Sequence, residues 1–91
     1  MSVKELETVE TEESIGVVGE RFLILYNDDY HTFDYVIDAL VDICGHTREQ
    51  ALQCALLVHF KGKCDVETGT YEYLRPKKTA LANKDLTVTI D

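Results

Sequence analysis

At 91 residues and 45% hydrophobic content, the chain suits one small domain built on one core. Its 17 acidic residues against 9 basic ones leave a formal charge of −8, which argues against nucleic acid or an anionic membrane as a partner, because phosphate binding needs a basic face. No apolar run approaches the roughly 20 residues of a membrane span and no signal-peptide pattern is read, so a soluble, cytoplasmic protein is expected.

Residues 1–19 read as an acidic N-terminal extension, in which Glu5, Glu7, Glu10, Glu12 and Glu13 face only Lys4 and no apolar period could pack a helix. That composition predicts disorder, with solubility or contact with a partner at a distance as its role. The core domain is expected over residues 20–91. Phe22-Leu23-Ile24-Leu25-Tyr26 has the β-branched and aromatic character of a buried strand and is ended by turn residues. Thr32 stands in N-cap position with Asp34 in the first turn, and Phe33, Val36, Ile37, Leu40, Val41 and Cys44 recur at helical spacing, one stripe that Gly45 closes.

Thr47 and Gln50 have capping-box spacing and open a second helix. From Ala51 to Val58 every residue but Gln53 is apolar, which predicts a central helix buried around most of its girth. Cys64-Asp65-Val66 reads as a short strand turned out at Gly69. Tyr71 to Leu74 could make one helical turn, and Pro76 is placed to start a further short helix ending near Lys84. Leu86-Thr87-Val88-Thr89-Ile90 alternates as a half-buried strand does. The order strand, helix, helix, strand, helix, strand predicts an α+β, two-layer sandwich with helices on one face of a three-stranded sheet.

Cys44, Cys54 and Cys64 are odd in number and lack C-x-x-C spacing, so they suggest neither a disulfide framework nor a zinc site, and the two in helical runs read as core residues. No metal and no cofactor is expected. The stretch Tyr26-Asn27-Asp28-Asp29-Tyr30-His31-Thr32-Phe33 sets an amide and two carboxylates side by side. Asn and Asp are common in helix-entry turns, but the same oxygens can replace the water shell of a small ammonium group. His59, in the last turn of the second helix, reads as a dipole partner, a surface residue or a second part of that site.

Together, Y-N-D-D-Y ahead of a helix, then V-I-D-A-L, R-E-Q-A and V-H-F-K-G-K, resemble ClpS, the bacterial adaptor family of the N-degron (N-end rule) pathway, over about Phe22 to Ile90. The resemblance implies a fold similar to the C-terminal domain of the ribosomal stalk protein, and an adaptor rather than an enzyme. ClpS-like proteins bind the free α-amino group and bulky hydrophobic first residue of a substrate, and deliver it to the N-terminal domain of a Clp-family AAA+ unfoldase of ClpA or ClpC type. Carried over, the amine-binding positions fall on Asn27, Asp28, Asp29 and His59, and the side-chain pocket on His31, Phe33, Val36, Ala55, Val58 and Leu86. Glu72 and Lys77 are stand-ins for the unfoldase face, because the region from Asp65 to Asn83 is shorter than usual and lacks the family's A-E-T-K element. Many relatives have T-P-M where this chain has His31-Thr32-Phe33, and methionine where Ala55 stands. Two alternatives remain: Asp28 or Asp29 with His59 as an acid–base pair, for which no motif marks a nucleophile, and a stalk-type interaction domain without an amine pocket.

Overall fold

The computed structural model describes residues 20–91, and the acidic extension expected over residues 1–19 lies outside the described residues. The middle strand is β1 (Arg21–Tyr26), followed by α1 (Phe33–Cys44), α2 (Arg48–Lys61), β2 (Lys63–Gly69), α3 (Tyr71–Asn83) and β3 (Thr87–Ile90). Among these residues the sheet runs β2-β1-β3, with both neighbours antiparallel to β1. The order and the α+β, two-layer class are those the sequence predicts.

Each helix begins at a threonine whose Oγ1 accepts a free backbone N–H: Thr32 from Tyr35, Thr47 from Gln50 and Thr70 from Tyr73. At Thr47 the Gln50 side chain returns the bond and completes the capping box. Leu23 and Leu25 put their side chains on the same sheet face as Val88, and there meet Val36, Ile37 and Leu40 of α1 and Leu74 and Leu81 of α3. A bulge interrupts the β1–β2 ladder, because Leu23 pairs with Glu67 whereas Ile24 pairs with Asp65, leaving Val66 as the extra residue.

Two expectations are corrected. Helix α2 is not buried around its girth: only Ala51, Ala55 and Val58 are buried, while Leu52, Leu56, Leu57 and Phe60 are exposed, Phe60 to 74%. One face of α2 meets the rest of the domain, and its small residues let the backbones approach closely, so the larger ones point outward. Nor does Pro76 start a new helix, for α3 is continuous across it. Leu74 and Leu81, both fully buried, lie about two turns apart on one face and anchor the helix on either side of the proline.

Candidate functional site

The end of β1, the start of α1 and the end of α2 converge on a hollow of about 360 Å³, its open mouth included. Asn27, Asp28, His31 and His59 supply its polar lining, and Leu25, Val36, Ala55, Val58 and Leu86 its apolar wall, with Phe33 and Tyr26 completing it. The Asn27 N–H donates to Gly62 O at 3.0 Å, so the turn after β1 is tied to the turn after α2 and the two sources of polar groups are held together. Gly62 sits at φ 93, where only glycine is unstrained, and its N–H caps α2 by donating to Val58 O. Opposite, the Tyr35 hydroxyl donates to Lys84 O at 2.7 Å and fixes the loop that delivers Leu86, which lies one residue before β3.

Asp28 organises the rim. Its Oδ1 accepts the N–H groups of Tyr30 at 2.9 Å and His31 at 3.2 Å, and its Oδ2 accepts His31 Nδ1 at 2.6 Å. Partial burial alone would push this carboxyl up, but the hydrogen bonds from Tyr30 and His31 and the His31 charge outweigh it and hold Asp28 below the usual aspartate value. The His31 ring is stacked on Tyr35 with centroids 4.5 Å apart. His59 stands edge-on to Phe33 at 5.3 Å and to Phe60 at 4.8 Å, so an exposed imidazole is fixed between two aromatic faces at the mouth.

Nine of the positions singled out in the sequence therefore line one hollow: Asn27, Asp28, His59, His31, Phe33, Val36, Ala55, Val58 and Leu86. Asp29 does not line it. Its backbone is left-handed at φ 64, and its Oδ1 accepts from Asn27 Nδ2 at 3.2 Å while its N–H donates to Asn27 Oδ1 at 3.2 Å, so it braces the asparagine from outside. Glu72 and Lys77 are five residues apart on α3, which puts them on different sides of the helix. Glu72 is exposed, whereas Lys77 Nζ donates to Ile43 O at 3.2 Å and lies 5.0 Å from the Tyr73 ring centroid. Two features went unread in the sequence. Leu25 adds to the apolar wall from the helix side of the sheet, where strand alternation puts it with Leu23. Away from the hollow, Cys44, His46 and Glu67 come together from α1, the α1–α2 turn and β2.

A recess with fixed acceptors on its rim and an apolar wall beneath is the site of a small binding domain. The model of the family "ATP-dependent Clp protease adaptor protein ClpS" matches residues 21–89. The ClpS adapter protein of Acetivibrio thermocellus is 37% identical over 84 residues, covering 92% of this chain and 84% of that protein. That of Oleidesulfovibrio alaskensis is 39% identical over 62 residues, which are 68% of this chain but only 60% of the relative's length. The structure of Agrobacterium tumefaciens ClpS2 bound to L-phenylalaninamide superposes with a TM-score of 0.72 at 20% identity, covering 79% of this chain and 94% of that one, and so shares the fold. The chain belongs to the ClpS family of Clp protease adaptors, a family of adaptors and not of enzymes. That membership sets aside the acid–base reading and favours an adaptor over the stalk-type alternative. Among the described residues no helix is long and apolar enough to cross a membrane.

Proposed function

We propose that the hollow receives the free α-amino group and bulky hydrophobic first residue of an N-degron substrate, and that the chain passes this substrate to a Clp AAA+ unfoldase of ClpA or ClpC type. The observation that carries the reading is the placement of Asn27, Asp28 and His59 on the rim of an apolar recess. An ammonium group loses hydration on entering such a recess unless acceptors replace it. The Asn27 Oδ1 has a second lone pair beyond the one that takes Asp29 N–H, a neutral His59 nitrogen can accept, and Asp28 supplies the negative field. The first side chain then lies against Val36, Ala55, Val58 and Leu86, where burying a Leu or Phe contributes roughly 1.5–3 kcal/mol. L-phenylalaninamide, bound by the Agrobacterium protein, has both parts: a free amine and a benzyl side chain.

The test is a fluorescence-anisotropy titration with labelled peptides beginning with Leu, Phe, Tyr, Trp, Ile or Met, each with a free and an acetylated amine. Acetylation removes the charge and two donors, so affinity is expected to fall at least about tenfold, the equivalent of one charge-assisted bond. Equal affinity for the two forms would remove the amine site from the reading.

A further inference from the structure

At the far end of α1 from the hollow, about 16 Å along the helix axis from Phe33, one ligand atom each from Cys44, His46 and Glu67 lie within 4.8 Å of one another. His46 Nε2 is 2.6 Å from the Val66 carbonyl oxygen, which can only accept, so Nε2 carries a proton and, in the neutral imidazole, Nδ1 carries the lone pair. That Nδ1 is buried and has no hydrogen-bond partner among the described residues. A buried acceptor without a donor is costly, and calls for something to fill the place. We propose that Cys44, His46 and Glu67 form a zinc site, with His46 Nδ1, the Cys44 thiolate and a Glu67 carboxylate oxygen as ligands and the fourth position left to water.

The chemistry fits the ion. Sulfur, imidazole nitrogen and carboxylate oxygen are the three donor types zinc takes in proteins, and a thiolate with a carboxylate cancels its charge. Tetrahedral bonds of about 2.0–2.3 Å need ligand atoms about 3.5 Å apart, so the present spread closes by side-chain rotation. The supports around the ligands are those of a metal site. The Val66 carbonyl orients the imidazole, and the Tyr73 hydroxyl donates to Glu67 Oε2 at 3.0 Å. Gly69 makes the second contact possible, since a Cβ there would lie 2.6 Å from the Tyr73 ring. The bulge at Val66 brings Glu67 into register with Leu23 and so turns its carboxylate to the helix side of the sheet, where an unbroken alternation after Asp65 would have sent it to the other face. Burial, with the Glu67 charge adding to it, pushes the Cys44 thiol up to about 11 against a partial offset from Lys77, so it is protonated at neutral pH. Binding therefore exchanges the thiol proton for the ion: Zn²⁺ and Cys44–SH give the zinc thiolate and one H⁺ released to solvent.

The full chain, stripped with a chelator and kept reduced, is titrated with Co²⁺ and then Zn²⁺. Expected are one equivalent bound, a thiolate-to-cobalt charge-transfer absorption that Zn²⁺ abolishes, and a Tm raised by several degrees with Zn²⁺. Cys44→Ser should lose the charge-transfer absorption and His46→Ala the binding. Tyr73→Phe, which removes only a supporting hydroxyl, should weaken zinc about 10–100-fold with the circular dichroism spectrum of the parent. The rival thiols are Cys54 and Cys64, which contact each other. Loss of binding in a Cys54→Ser, Cys64→Ser double variant with an unaltered response in Cys44→Ser would overturn the assignment, as would a parent that takes up no stoichiometric zinc.

Discussion

Helices α1 and α2 are neighbours of similar length and both are rich in apolar residues, yet they use those residues in opposite ways. Helix α1 buries Val36, Ile37 and Leu40, whereas α2 buries Ala51, Ala55 and Val58 and leaves Leu52, Leu56, Leu57 and Phe60 outside. The first pattern fills space, and so makes core. The second brings a backbone close and leaves space unfilled. Ala55 has no side chain beyond Cβ, and the hollow opens beside it. The scaffold thus rests on α1, and the hollow on what α2 omits.

The largest expected effect tests the first half of that contrast. Leu40 is fully buried, so Leu40→Ala removes core atoms and leaves a cavity, and should cost about 2–5 kcal/mol in a urea titration. Leu57, on α2 and 44% exposed, should change stability by no more than about 0.5 kcal/mol when truncated in the same way. Similar losses at the two positions would mean that the outer face of α2 is covered in solution.

The contrast also explains what was legible in the sequence. Helix α1 was readable because apolar and acidic residues alternate at helical period, with Asp34, Asp38 and Asp42 marking the wet side. In α2 nearly every residue from Ala51 to Val58 is apolar, so the pattern could not say which face meets the core. That choice is made by size, through close packing at alanine. Pro76 was misread for a related reason, since local propensity favours a break there and the buried pair Leu74 and Leu81 overrides it. The hollow's lining was legible through the resemblance to the ClpS family, whose motifs fall on the turn and the helix end that carry its polar groups. The group Cys44, His46 and Glu67 was not, because a bulge sets the face on which Glu67 lies, and a bulge has no signature in the strand's alternation.

The second half of the contrast can be broken by filling the space at Ala55. Ala55→Leu should extend into the hollow and weaken binding of Phe-first and Tyr-first peptides by about tenfold or more, while stability changes by less than about 1 kcal/mol. A variant that binds normally but loses about 2–3 kcal/mol of stability would show that position 55 faces packed core instead.

A smaller effect is expected where the two helices meet at the mouth. Phe33 of α1 touches His59 of α2 edge-on, and its ring cannot flex aside as a thioether can. Ile and Val carry a branch at Cβ that widens the side chain close to the amine. Leu-first peptides should therefore bind more tightly than Ile-first ones, and Phe33→Ala should narrow that preference by about threefold, less than one kcal/mol. An unchanged Leu-to-Ile ratio would move the selectivity to another wall, with Ala55 the next position to change.

The smallest expected effect concerns the turn that sets the start of α1. Asp28 is held below the usual aspartate value of 3.8 although partial burial raises it, because the Tyr30 and His31 hydrogen bonds and the His31 charge favour the carboxylate. A carboxyl whose folded value is depressed binds its proton more readily in the unfolded chain. Its contribution is therefore present in full above the ordinary value and is lost as pH falls through the lower, folded one. Asp28→Asn keeps Oδ1 as an acceptor for Tyr30 and His31 but removes the charge that faces the imidazole at 2.6 Å. Urea midpoints of parent and variant should differ above 3.8 and converge as pH falls through the lower, folded value. If the gap persists undiminished through the acid range, neutral hydrogen bonds hold the turn, and the rim of the hollow then needs another source for its negative field.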